Sequence, residues 1–218
     1  MKIVLQYNEC DSPSLYNSHM YKHRNSQKRI YSMSATYFIT FCTKDRFPFF
    51  SPEEKHHKTF CELFINELIL AKTLKKFDLF AFTIMYDHVH LLIKPGDQFN
   101  ISECVHVIKR HFARDVNILL KNKEINLPEG EDRDPRLQIN ELILDNLGNK
   151  SLRIFPKFQW QRSFHDHLIR NEKDFIKHYN YITNNYLKHS AVFNYPLDWK
   201  YMYPNERIIY KDLITVYK

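Results

Sequence analysis

Three observations predict an α+β fold built on an antiparallel sheet. Two strand-like runs, Phe77–Met85 and His88–Lys94, stand back to back around Tyr86-Asp87, as in a hairpin. A stretch of helical periodicity flanks that hairpin on each side. Further strand-like runs begin and close the set, giving β-α-β-β-α-β followed by a C-terminal helix. That order is the ferredoxin-like (RRM-like) arrangement, in which both crossover helices cover one face of the sheet and the other face is open to a ligand.

The elements follow in order from about residue 35. Residues 1–34 are a polar, basic arm with Tyr7, Tyr16, Tyr21 and Tyr31 among His19, Lys22, His23, Arg24, Lys28 and Arg29. Cations interleaved with aromatics can grip phosphates and stack bases, and a solvated arm has the same pattern. Ala35–Thr43 is the first strand. Lys44-Asp45-Arg46 leaves it, and Pro48 and Pro52 punctuate the loop. Ser51 or Pro52 is expected to open the first helix, with Glu53 and Glu54 in its positive first turn. Phe60, Leu63, Phe64 and Leu68 form its apolar stripe.

After the hairpin, a second helix starts at Ser102-Glu103, with Val105, Ile108, Phe112, Val116 and Leu119 facing the core. Its other face carries Lys109, Arg110, His111 and Arg114. A charged face is usually only solvated, but a uniformly basic one favours phosphate contact. From about 121 to 156 the pattern breaks, and this stretch reads as an insertion with a short amphipathic helix over Leu137–Leu147. Phe158–Ile169 is expected as the fourth strand, anchored by Trp160 and Phe164. Asn171 caps the last helix, with Glu172 and Asp174 in its first turn. Residues 35–200 are read as one domain and 201–218 as a tail.

Composition narrows the function. The chain is 44% hydrophobic and 15% aromatic, which argues against general disorder. Its net charge of +7 suggests a polyanionic partner, nucleic acid being the common case. Its 3 glycines are never grouped, so neither a Walker loop nor a dinucleotide-binding turn can be built, and no nucleotide cofactor is expected. The 4 cysteines form no Cys-x-x-Cys pair and suit a reducing cytoplasm. No run approaches the roughly 20 apolar residues of a membrane span.

The central motif is Asp87-His88-Val89-His90-Leu91-Leu92-Ile93. Successive strand residues alternate in direction, so His88 and His90 share one face while Val89, Leu91 and Ile93 share the other. Two imidazoles side by side on a strand can hold one metal ion. His-x-His also arises by chance in a chain with 12 histidines, and His165-Asp166-His167 is a second copy. In the last helix, Phe175, Tyr179, Ile182 and Tyr186 recur as a core-facing stripe. Tyr181 falls about 200° around the helix from Tyr179 and shares its face with His178, Asn185 and Lys188. Tyr179 therefore reads as packing, and Tyr181 as a tyrosine in polar company.

Four segments together resemble the REP-associated tyrosine transposases, of the single-tyrosine branch of the HUH (His-hydrophobic-His) transposases. Met85-Tyr86-Asp87-His88-Val89-His90-Leu91-Leu92-Ile93 resembles their Met-Pro-Asn-His-Val-His-Leu-Leu-Ile segment. Trp160-Gln161-Arg162-Ser163-Phe164-His165-Asp166-His167-Leu168-Ile169-Arg170 is similar to their Trp-Gln-x-x-Phe-x-Asp-His-x-Ile-Arg strand. Tyr181-Ile182-Thr183-Asn184-Asn185-Tyr186-Leu187-Lys188-His189 matches their Tyr-Ile-x-x-Asn-Pro-Val-Lys-His. Tyr37 to Phe50 resembles their first strand and its exit. Tyr86 and Tyr186 replace two prolines of these motifs.

The resemblance implies cleavage of single-stranded DNA beside a hairpin and rejoining through a 5′-phosphotyrosine. It implies Tyr181 as nucleophile, His88 and His90 as metal ligands, and Asn185 as the third ligand. Mixed imidazole and oxygen ligation suits a divalent ion, Mg²⁺ or Mn²⁺. Lys109, Arg110, Arg114, Lys188 and Arg162 are the expected DNA contacts. The alternative is a hairpin-binding protein on the same fold without catalysis. The second His-x-His is expected to be structural or DNA-contacting.

Overall fold

The computed structural model describes residues 32, 35–54, 56–122, 156–193, 199–203 and 210–217. The expectations for residues 1–31 and for the insertion from 123 to 155 lie outside these residues.

Aromatic and β-branched runs buried on both faces make β1 (Tyr37–Cys42), β2 (Asp78–Ile84) and β3 (His88–Lys94). Helical stripes make α1 (His57–Lys75) and α2 (Ile101–Asn122). Then come β4 (His165–Leu168), α3 (Glu172–Phe193) and β5 (Met202–Tyr203). The strands form one antiparallel sheet in the order β4-β1-β3-β2-β5. Its first four strands have the order expected of the ferredoxin-like split, with β1 and β3 central.

The two faces of the sheet bury different sets. Ile39, Phe41, Val89, Leu91 and Ile93 pack under α1 and α2, whose Phe60, Leu63, Phe64, Ile108 and Phe112 complete the main core. Phe38, Phe80, Ala81 and Leu92 point the other way and meet Phe175 and Ile182 of α3. A register shift between Leu79 and Ala81 leaves Phe80 as an extra residue against β3. Such a bulge lets Phe80 and Ala81 both serve the α3 face. Gly96 sits where an added Cβ would lie 2.5 Å from the Lys76 carbonyl oxygen, so only a glycine fits behind the end of α1.

Three expectations need correction. The first helix begins at His57 rather than at Ser51 or Pro52. Ser51–Glu54 instead fold as successive turns, Ser51 N–H donating to Pro48 and Glu54 N–H to Ser51. The fourth strand is only His165–Leu168. Phe158 and Trp160 turn into the α1–α2 core, and Trp160 keeps a single bridge to Thr43. The residues read as a tail contain β5, and Tyr201 and Met202 are buried beside β2. Trp199 Nε1–H donates to the Ile84 carbonyl at 2.9 Å, and Thr215 N–H to Leu79 at 2.7 Å.

The cap expected at Asn171 is present, and the second helix has one that the sequence reading did not assign. Asn171 Oδ1 accepts from Asp174 N–H at the start of α3. Asn100 and Glu103 exchange side-chain to backbone bonds at 2.8 and 3.1 Å, a capping box for α2.

Candidate active site

The site lies between β3 and α3. His88 and His90 point to the same side, and both are buried, 7% and 4% exposed. Their Nδ1 atoms are engaged: His88 with Asp87 Oδ1 at 2.5 Å, His90 with Thr40 Oγ1 at 2.7 Å. Their Nε2 atoms therefore converge, 3.1 Å apart. That separation allows both nitrogens to reach one ion at the usual ~2.1 Å. A carboxylate on the far nitrogen of a ligating imidazole fixes its tautomer and raises its basicity.

The Asp87 carboxylate bridges two side chains. Its other carboxylate oxygen accepts from Arg46 Nη1 at 3.2 Å, and the group is fully buried. A charge so placed is stable only when paired, and Arg46 with His88 pairs it. Arg46 is aimed there by a 3-10 turn, Lys44–Arg46, in which Asp45 and Arg46 adopt φ of 55° and 56°. Thr43 holds the turn by donating its hydroxyl to the Phe47 and Asp87 carbonyls. Burial first, then the imidazoles of His88 and His189, hold His90 well below the ordinary imidazole range. His90 is therefore uncharged at neutral pH, the state that binds metal.

Helix α3 supplies the facing residues. The Tyr181 ring stands edge-on to His90 with centroids 5.3 Å apart, and to Phe38 at 5.7 Å. His189, two turns on, lies 6.4 Å from His88 and 6.2 Å from Tyr86. Asn185 lies on the turn between them and is 1% exposed. Among the described residues neither its Oδ1 nor its Nδ2 has a hydrogen-bond partner. Leaving such an amide unsatisfied costs about 1–3 kcal/mol, so the orphaned pair calls for a ligand. Two converging imidazole nitrogens and an unpartnered amide oxygen fit a divalent cation.

Each expected site residue can now be placed. Tyr181 is half-buried, since the polar side of α3 also turns to the sheet. Tyr179 packs beside Phe175, with centroids 6.1 Å apart, as its stripe implied. Lys188 is exposed, its Nζ 4.9 Å from the Tyr181 ring centroid. Arg110 and Arg162 are exposed, without an ion-pair partner among the described residues. Lys109 and Arg114 correct the picture of a free basic face. Lys109 Nζ donates to the Gln161 and Ser163 carbonyls at 2.7 and 3.0 Å, and burial lowers its pKa to about 8. Arg114 forks onto Asp115 at 2.5 and 3.0 Å. A pocket of about 570 Å³ at the exit of β1 is lined by Lys44, Arg114, Lys157, Arg162 and the edge of Trp160. His189 and Arg46 were quoted in the motifs but given no role. The i, i+4, i+8 spacing of Tyr181, Asn185 and His189 was the signal for the first.

A ferredoxin-like sheet whose central strand presents a histidine pair to a helix-borne tyrosine defines the class. Comparison with known proteins narrows it. Residues 31–127 match the family model described as "Transposase IS200 like". A Haemophilus influenzae protein described as a REP-associated tyrosine transposase is 26% identical over 182 residues, covering 81% of this chain and 84% of its own. The solved structure of a REP-associated tyrosine transposase bound to a REP hairpin superposes with a TM-score of 0.55 at 20% identity. It covers 90% of this chain and 89% of the other, and shows the shared fold. The resemblance to REP-associated tyrosine transposases carried by the four motifs is borne out.

Proposed function

We propose that the protein is a metal-dependent single-tyrosine transposase that cleaves and rejoins single-stranded DNA next to hairpins through a 5′-phosphotyrosine. The observation that carries this reading is the buried, unpartnered Asn185 amide. It stands one helical turn from Tyr181, which itself packs on His90.

His88 Nε2, His90 Nε2 and the Asn185 amide oxygen would hold a divalent ion, Mg²⁺ or Mn²⁺. An ion held there would supply Lewis acidity to the scissile phosphate and offset its developing negative charge. The remaining work belongs to the chain. Tyrosine has an ordinary pKa near 10, so its hydroxyl needs help to attack at neutral pH. Lys188 over the ring stabilises negative charge on the attacking phenol oxygen. Attack at phosphorus forms the tyrosyl ester and breaks the bond to the 3′ oxygen, which leaves as a hydroxyl. A 3′-hydroxyl attacking back restores the DNA backbone, so neither a water-activating base nor a nucleoside triphosphate is required. Arg110, Arg162 and Lys188, with Lys44 and Lys157 at the strand-end pocket, are placed to hold phosphates. Lys109 and Arg114 act through the loop and the helix they secure.

Incubation with a labelled hairpin-bearing single strand and Mn²⁺, resolved on a denaturing gel, tests the reading. Protein-linked DNA is expected. Cleavage without linkage would indicate a water-using nuclease, and hairpin binding without cleavage a binding protein.

A further inference from the structure

The second His-x-His motif does not work as a pair. His167 reaches across to α3, where its Nε2 lies 2.9 Å from Asp174 Oδ2. His178, one turn beyond Asp174, sets its Nδ1 2.8 Å from the Asp174 carbonyl oxygen and 3.2 Å from Asp174 Oδ1. The two imidazoles stack, with centroids 4.5 Å apart and planes 25° from parallel. One ligand atom from each of the three residues lies within 4.8 Å of the other two. Among the described residues this is the one His/Cys/Asp/Glu trio so arranged. It is separate from the His88–His90 pair, because the Phe38 ring stands between them, 4.8 Å from His178 and 5.3 Å from His90.

We propose that His167, Asp174 and His178 form a second metal site, one for Zn²⁺, that ties β4 to the first turns of the helix carrying Tyr181. Two imidazole nitrogens and a carboxylate oxygen are donors that Zn²⁺ accepts. Asp174 and His178 are spaced i, i+4, which puts both on one helix face, and the strand provides the third donor. All three side chains are half-buried, so the remaining coordination positions open to water. The carboxylate is itself held in place, because Asp174 Oδ2 accepts from Arg170 N–H at 3.1 Å. Ion binding at this point fastens the N-terminal end of α3 to the sheet edge, and with it the seating of Tyr181 and Asn185.

The test uses the untagged full chain, stripped with a chelator and titrated with Zn²⁺, with Co²⁺ absorption as a spectroscopic probe. The wild type is expected to take up two equivalents. The His88→Ala/His90→Ala variant is expected to keep one, and to gain thermal stability when Zn²⁺ is added. Adding Asp174→Asn, which preserves shape and hydrogen bonding, removes that remaining equivalent and its Co²⁺ spectrum. The proposal is overturned if folded His88→Ala/His90→Ala protein takes up no Zn²⁺. It is overturned equally if the remaining equivalent survives Asp174→Asn and His178→Ala introduced separately. Neither result depends on DNA cleavage.

Discussion

Asp87 stands where the resembled motif has asparagine. The change places a buried carboxylate on His88 Nδ1 and draws Arg46 in to balance it. A carboxylate behind a ligating imidazole typically strengthens metal binding, and removing it weakens affinity about 10–100-fold. Asp87→Asn should therefore loosen Mn²⁺ by that factor in calorimetric titration while the protein stays folded; unchanged affinity would make the pairing purely structural. His88→Ala or His90→Ala should abolish cleavage and leave hairpin binding largely intact, because the proposed mechanism rests phosphate grip and metal ligation on different side chains. A gel-shift assay beside the cleavage assay reads both, and retained Mn²⁺-dependent cleavage in both variants would remove this pair from the mechanism.

At the scale of elements, the basic side of α2 divides in two. Arg110 projects into solvent, whereas Lys109 holds two carbonyls of the loop ahead of β4. Arg110→Ala is expected to lower the slope of log affinity against log salt by about one unit, the loss of a single phosphate contact. Lys109→Ala should leave the slope unchanged and lower stability by roughly 1.5–3 kcal/mol, as for hydrogen bonds from a charged donor. Reversed results would return Lys109 to the DNA surface. Elements with strong periodicity were legible beforehand: the stripes of α1 and α2, the hairpin, and the cap at Asn171. The start of α1 was not, because Ser51-Pro52-Glu53 imitates a helix cap while its backbone closes turns on Pro48. The extent of β4 was misjudged because Phe158 and Trp160 are apolar for the sake of the helix-side core rather than of a strand. β5 is two residues long, too short for any alternation to show, and tertiary pairing with β2 defines it. Of the site, the histidine pair, Tyr181 and Asn185 were readable from spacing and motif. His189 was signalled only by its helical spacing from Tyr181 and Asn185, whereas Arg46 and the His167–Asp174–His178 cluster depend on contacts between distant elements.

At the scale of the whole molecule, both faces of the sheet are covered, and no described helix is long and apolar enough to cross a membrane. Three imidazoles, those of His57, His90 and His178, are held below their ordinary range, in each case chiefly by burial. Below about pH 6.5 the unfolded chain binds more protons at these positions than the folded one, so acid favours unfolding. Asp115 and Asp174, both held below the ordinary carboxylate value, add to that loss at still lower pH. Tm of the metal-free protein should thus fall steadily from pH 7 to pH 5; a flat or rising profile would contradict the burial of these rings. This assembly brings one particular tyrosine, Tyr181, to the histidine pair, and the two tyrosines two residues apart test that placement most directly. Wild type, Tyr179→Phe and Tyr181→Phe are incubated with labelled hairpin DNA and Mn²⁺, and the protein-linked product is mapped by peptide mass. Tyr181→Phe should fold with a stability change of at most ~0.5–1.5 kcal/mol, as for one hydroxyl, and form no adduct. Tyr179→Phe should form it at Tyr181. An adduct that persists in Tyr181→Phe, or that disappears in folded Tyr179→Phe, would contradict the assignment of the nucleophile.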